Sequence, residues 1–202
     1  MATQMTVSKN TSVEDKTTGD AFAASLHHNN THSLTALTID ISNTNHEYLK
    51  KALPVLLSHL QSLAATQGDQ NPVLRQLLAR FTTLKEDIEM HIQKEELIIF
   101  PRIKEMEKFY TGQSGRVVFS ATFLEAPTTL MEQEHHQIEK SLAVIKELSN
   151  QYTAPPGACT SFEHTFSLLH TFEKNLLRHI EVENKILFPK ALVLFKKCQA
   201  MA

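Results

Sequence analysis

Eleven histidines stand in this chain of 202 residues, against 20 lysines and arginines together. Two of them, His91 and His179, are each followed four residues later by a glutamate, Glu95 and Glu183. Both pairs open the same pattern, H-I-x-x-E-x-x-I-x-F-P-[RK], running from His91 to Arg102 and again, 88 residues on, from His179 to Lys190. A fainter echo at an offset of 89 matches His46 to His135, Leu49 to Ile138, Leu53 to Leu142, Leu56 to Ile145 and Gly68 to Gly157. On a helix, residues four apart share a face. Each of the four histidines therefore sits on an apolar stripe, and two of the stripes add a carboxylate. Burying even a neutral polar group without a partner costs about 2–7 kcal/mol. Ion pairs among the six side chains seldom outperform plain apolar packing, whereas cations bound between them satisfy all six. Imidazoles and carboxylates on facing helices suit a two-metal site. With no thiolate in the set, this mixture of nitrogen and oxygen donors favours iron or manganese, with zinc as a substitute. The internal repeat reads as two helical hairpins related by a pseudo-twofold, with one metal per hairpin and Glu95 and Glu183 bridging.

Four periodic segments must position these groups. The first runs through Ile39, His46, Leu49, Leu53, Leu56, Leu60 and Leu63, and the second through Leu77, Phe81, Leu84, Ile88, His91, Glu95 and Ile98. The third carries Leu124, Thr128, Met131, His135, Ile138, Leu142 and Ile145, and the fourth Leu169, Phe172, Leu176, His179, Glu183 and Ile186. Spacings that alternate between three and four keep each set on one helix face. Breakers separate the segments at Gly68–Pro72, Gly112–Gly115 and Pro155–Gly157. Pro54 is expected to kink the first helix. Pro101 is expected to bend the second, which continues irregularly to about Lys108. The fold class that follows is all-α, an antiparallel four-helix bundle over residues 32–198. Residues 1–31, rich in Ser, Thr, Asn and Asp, read as a disordered or loosely docked polar tail.

The composition closes other routes. A net charge of −2 offers no basic excess for nucleic acid. The apolar runs fall far short of the roughly 20 residues that span a bilayer. Five glycines and seven prolines are few for an all-β chain with many tight turns. Two cysteines, Cys159 and Cys198, make neither a disulfide scaffold nor a thiolate site. The start of the chain shows neither a secretory nor a mitochondrial leader pattern, so the expected compartment is a reducing cytoplasm.

The motifs resemble those of the hemerythrin-like di-iron proteins, and among them the RIC (repair of iron centres) proteins. The resemblance runs from about Leu34 to Leu192. It rests on Thr44-Asn45-His46-Glu47-Tyr48 with Leu53-Pro54, on His91-x-x-x-Glu95 with Phe100-Pro101, on Met131-Glu132-Gln133-Glu134-His135, on Pro155-Pro156-Gly157-Ala158-Cys159, and on His179-x-x-x-Glu183 with Phe188-Pro189. It implies a hemerythrin-like bundle holding two iron ions bridged by oxygen and carboxylates. It also implies a role in repairing iron–sulfur clusters after nitrosative or oxidative damage, by iron donation or nitric oxide chemistry. The implied ligands are His46, His91, Glu95, His135, His179 and Glu183. Glu134 and Asp87 match carboxylates that the family places beside the centre. Damaged iron–sulfur proteins are the implied iron acceptors, and a small gas, nitric oxide or dioxygen, the implied ligand. Two departures stand out. A histidine usual in the family at the end of the first helix is replaced by Gln67, which is expected to leave one iron open or loosely held. In place of the small cysteine-bearing domain that many members carry at the N-terminus, this chain has its polar tail.

The remaining histidines read as bystanders. His27, His28 and His32 belong to the tail. His59 lies off the stripe, His136 sits about 100° round the helix from His135, and His164 and His170 fall away from the ligand face. Phe100, Phe166, Phe172 and Phe188 read as core. The alternative to repair is a hemerythrin-like module that binds dioxygen reversibly or senses oxygen or iron. No residue is assigned a catalytic role.

Overall fold

The computed structural model describes residues 33–115 and 119–201. Every regular element among them is helical, and together they form a four-helix bundle. The first rod is α1 (Leu34–Ile41), a π-helical turn (Ser42–His46) and α2 (Glu47–Gln67). The second is α3 (Val73–Lys94), a π turn (Glu95–Ile99) and α4 (Phe100–Tyr110). The third, α5 (Glu125–Leu148), is uninterrupted. The fourth is α6 (Thr160–Val182), a π turn (Glu183–Leu187) and α7 (Phe188–Met201).

Two of the π turns have a local cause. Proline lacks an N–H and crowds the carbonyl four residues back. Pro101 and Pro189 each follow a widened turn, in which the N–H of Phe100 donates to the carbonyl of Glu95 and that of Phe188 to Glu183. The sequence-based expectation of an irregular second helix is met by this turn, after which α4 is regular to Tyr110. Pro54 lies exposed within α2, whose helical run continues past it to Gln67.

The rods bury the stripes read from the sequence. Leu49, Leu53, Leu56, Leu60 and Leu63 of α2 meet Leu77, Phe81, Leu84 and Ile88 of α3 and Phe166, Leu169, Phe172 and Leu176 of α6. Helix α5 packs against α3, and α2 against α6. At the opposite end α4 packs on α1 and α7. There Glu107 accepts hydrogen bonds from the amides of Leu34 (2.7 Å) and Thr35 (2.9 Å), while the Ser33 hydroxyl accepts from Ala36 (3.0 Å). These bonds serve N–H groups that a helix start leaves without partners. Phe119, Phe123 and Phe195 close the same end with ring contacts.

Helix α5 ends earlier than the Pro155–Gly157 signal suggests. Asn150, Gln151 and Tyr152 all take left-handed φ angles of 49°, 58° and 61°. The amide of Gln151 turns back to the carbonyl of Lys146 and that of Asn150 to Glu147, a Schellman closure with asparagine at its left-handed position. The readings for residues 1–31, including His27 and His28, and for His32 lie outside the described residues.

Candidate metal centre

All three π turns lie at the level where the four histidines meet. His46 ends the first turn, Glu95 opens the second and Glu183 opens the third. A π turn inserts one residue into a helix and is frequent at functional sites. Here the second and third turns begin at the carboxylates, and each ends beside a phenylalanine stacked on an imidazole of another rod. Phe100 lies against His46 with ring centroids 5.5 Å apart and Phe188 against His135 at 5.9 Å, both nearly parallel. These two rings are thus core residues that also pack against two of the buried imidazoles, whereas Phe166 and Phe172 belong to the apolar core beyond.

His46, His91, Glu95, His135, His179 and Glu183 are all buried. They form two overlapping groups in which potential donor atoms lie within 4.8 Å of one another: His46, Glu95, His179 and Glu183, and His91, Glu95, His135 and Glu183. Glu95 turns Oε2 toward His46 Nε2 (3.2 Å) and Oε1 toward His91 Nε2 (3.4 Å). Glu183 Oε2 lies 3.2 Å from His135 Nε2 and 3.4 Å from His179 Nε2. Both carboxylates thus belong to both groups. Each group takes one histidine from each hairpin, which corrects the expectation of one metal per hairpin. The pseudo-twofold survives: exchanging His46 with His135, His91 with His179 and Glu95 with Glu183 turns one group into the other.

Three of the imidazoles are anchored from behind. His46 Nδ1 donates to Glu96 Oε1 (2.9 Å), which also accepts from Lys50 (2.8 Å). His91 Nδ1 donates to Glu134 Oε2 (3.0 Å), whose other oxygen is paired with Lys94. His135 Nδ1 donates to Asn184 Oδ1 (2.8 Å). With Nδ1 carrying the proton, Nε2 presents a lone pair to the interior. His91 Nε2 and His135 Nε2 face each other this way at 2.9 Å, an arrangement that a positive charge between them stabilises. His46 Nε2, His179 Nε2 and all four carboxylate oxygens of Glu95 and Glu183 are buried without a hydrogen-bond partner among the described residues. Leaving such atoms unpaired is costly, and divalent cations fit the donors they offer.

The electrostatics of the metal-free centre agree. Burial opposes the charge on Glu95, but the neighbouring imidazoles, His91 foremost, outweigh it and hold this carboxyl well below the usual range. Burial, reinforced by the charge of Glu95, pushes Glu183 well above it. Burial and then the charge of His91 bring His135 down to about 4. Burial lowers His179 to about 3, the other three imidazoles reinforcing it and Glu95 opposing. Burial also acts against a charge on His91, but Glu95 and Glu134 prevail and raise it. Without a cation, the surroundings thus favour the charged forms of Glu95 and His91 and the neutral forms of Glu183, His135 and His179.

The other sequence-based site residues fare differently. Glu134 stands behind His91, as expected. Asp87 is exposed and outside both groups although it lies one turn before His91, Leu84 and Ile88 taking the buried positions on that part of the helix. Gln67 ends α2, 21 residues after His46. At ~1.5 Å per residue this is about 31 Å away along the helix, so the expectation that Gln67 opens or loosens an ion is corrected. Periodicity assigns a face but not a height. Glu96 and Asn184 were missed, although the repeat places each directly after a ligand-type glutamate. His59 lies against His164, ring centroids 5.4 Å apart, His170 stacks on Tyr152, and His136 lies 3.7 Å from Glu139. Cys159 is exposed, and buried Cys198 donates to the carbonyl of Met106 (3.5 Å).

Comparison with known proteins places this geometry. Residues 37–191 match the hemerythrin HHE cation-binding domain. The chain is 32% identical over 147 residues to an iron–sulfur cluster repair protein YtfE of Escherichia coli O81 (strain ED1a). It is 31% identical over 147 residues to the YtfE protein of Escherichia fergusonii. Each alignment covers 73% of this chain and 61% of the relative, so the chain spans less than two thirds of the length of these relatives. With its repeated His–Glu helices and shared carboxylates, the chain belongs to the hemerythrin family.

Proposed function

We propose that this chain holds two iron ions and serves in the repair of iron–sulfur clusters damaged by nitric oxide or oxidants. The observation that carries the reading is the pair of overlapping buried groups, each of two histidines and both glutamates. The repair role named for its relatives supports the biological assignment. His46 and His179 hold one ion, His91 and His135 the other, and Glu95 and Glu183 serve both. Bound ferrous iron supplies a transferable metal and a coordination site for nitric oxide.

The protein side of the work follows from the residues. The apolar core beyond the centre excludes water from Glu95 and Glu183, which strengthens their hold on cations. Cations held there would favour the ionised form of Glu183 and the neutral form of His91, which the metal-free surroundings disfavour. Glu96 and Glu134 fix the imidazoles with Nε2 free. Their side chains, 30% and 23% exposed, connect the buried donors to the surface. This connection favours an exchanging centre over a sealed dioxygen carrier.

The test uses protein purified anaerobically from iron-supplied cells, with metal counted per chain. It is then mixed with a [4Fe–4S] protein whose cluster nitric oxide has degraded. We expect about two irons per chain and recovery of cluster absorbance faster than with the same concentration of free ferrous salt. Recovery no faster than with the salt overturns the repair reading. Reversible dioxygen uptake without loss of iron would establish the carrier instead.

A further inference from the structure

Three of the four imidazoles at the centre have Nδ1 hydrogen-bonded to a side chain, to Glu96, Glu134 and Asn184. The fourth, His179, is buried, and its Nδ1 meets no hydrogen-bond partner among the described residues. The pseudo-twofold shows where a partner would stand. It carries His91 onto His179 and Glu134, 89 residues back, onto Asn45. Asn45 lies in the Ser42–His46 turn, which packs against α6, the helix of His179. The Asn45 side chain does not supply it: Asn45 Oδ1 lies 3.0 Å from the hydroxyl of Thr44, whose shorter bond, 2.7 Å, goes to the carbonyl of Asp40, and His179 Nδ1 is left without a partner among the described residues. Where one half of the molecule sets a carboxylate behind an imidazole, the other half has a neutral amide that leaves the imidazole unanchored.

The partner behind a metal-binding histidine fixes its tautomer and ring orientation and raises its basicity, and losing it typically costs 10-fold to 100-fold in affinity. The group of His91 and His135 has both imidazoles anchored, one of them by a carboxylate. The group of His46 and His179 has one anchored and one bare. We infer that the two ions are held unequally, and that the ion between His46 and His179 is the exchangeable one because Asn45 does not anchor His179. The ion between His91 and His135 then remains while the first is delivered or replaced. This inference rests on the two-metal reading and adds an order of release to it.

Release of ferrous iron from the anaerobically loaded full chain to excess chromogenic chelator tests it. We expect two phases of equal amplitude, one iron each, with rates at least about 10-fold apart. Asn45→Glu, which supplies the carboxylate of the other half, is expected to slow the fast phase and spare the slow one. Glu134→Gln, which weakens the anchor on His91, is expected to quicken the slow phase and spare the fast one. Two irons leaving at one rate overturn the inference while leaving the two-metal reading intact. So does Glu134→Gln acting on the fast phase, a result that stands even if Asn45→Glu does not fold. Fewer than two irons per loaded chain overturns both.

Discussion

At the scale of single residues, the centre separates two kinds of buried polar group. The oxygens of Glu95 and Glu183 have no hydrogen-bond partner among the described residues, which is the condition that bound cations would relieve. Replacing Glu183 with glutamine keeps its volume and its neutral state in the metal-free protein but removes a donor common to both groups. We expect Glu183→Gln to leave metal-free stability nearly unchanged and to reduce bound metal from two ions to one or none, measured by metal analysis after dialysis. Phe100 acts through packing. Phe100→Ala removes the ring stacked on His46 and opens a cavity in a fully buried place. A loss of about 3–5 kcal/mol is expected by urea denaturation.

At the scale of elements, interruptions of helical regularity mark the working parts of the chain. The π turns at Glu95–Ile99 and Glu183–Leu187 are written in the sequence by Pro101 and Pro189. The turn at Ser42–His46 has no such proline, since Pro54 lies eight residues beyond His46. The left-handed run after α5 is a different device. A non-glycine residue in that region is strained by roughly 1–2 kcal/mol, and Gln151 is exposed, so a glycine there loses no packing. Against this stands the greater freedom of glycine in the unfolded chain, worth about 0.5–1 kcal/mol. Gln151→Gly is therefore expected to raise stability by up to about 1 kcal/mol in chemical denaturation. Glu107 joins α4 to the start of α1 with two hydrogen bonds. Glu107→Ala should cost about 1–2 kcal/mol, in the range of a lost helix cap. The carboxyl of Glu107 is itself pushed up by burial, but bonds from Thr35, Leu34 and Ser33 bring it down overall. Its contribution is present above the ordinary carboxylate range and disappears as pH falls through its lowered value.

At the scale of the molecule, the charged centre lies between two apolar regions and couples all four rods. Metal that binds only the folded chain stabilises it by mass action, by about 2.7 kcal/mol at a free concentration 100 times the dissociation constant. Chelation should lower the thermal midpoint, and added ferrous or zinc ion should restore it. In the metal-free protein the pH dependence has a definite sign. His135 and His179, lowered to about 4 and about 3, stay neutral when folded but take up protons below about 6.5 when unfolded. They make stability fall as pH drops below that point. Glu183, raised, keeps its proton when folded and loses it when unfolded, so it makes stability fall as pH rises above the ordinary glutamate range. On acidification below about 6.5 the two histidines lower stability while Glu183 opposes them. His91, whose raised value also makes stability fall with rising pH, acts in the same direction as Glu183. The denaturation midpoint of chelator-treated protein is therefore expected to fall on acidification below about pH 6.5 as His135 and His179 favour the unfolded chain.

The sequence by itself determined the bundle and the identity of the residues at its centre. Periodicity is a local property of the chain, so the stripes, and the histidines and glutamates on them, were legible from spacing alone. The repeat carried the symmetry, because two hairpins with the same pattern bury it in the same way. What spacing lacks is position along and between helices. The resemblance matched Gln67 to a histidine of the family, and only the folded rod shows it about six turns from His46. Spacing put Asp87 one turn before His91, whereas packing turned Asp87 to solvent. Tertiary structure alone decided that each group takes a histidine from either hairpin, that Glu96 and Asn184 anchor imidazoles on other rods, and that Asn45 does not anchor His179. These facts depend on how whole helices register against one another, which arises from the sum of many contacts and is carried by no single stretch of sequence.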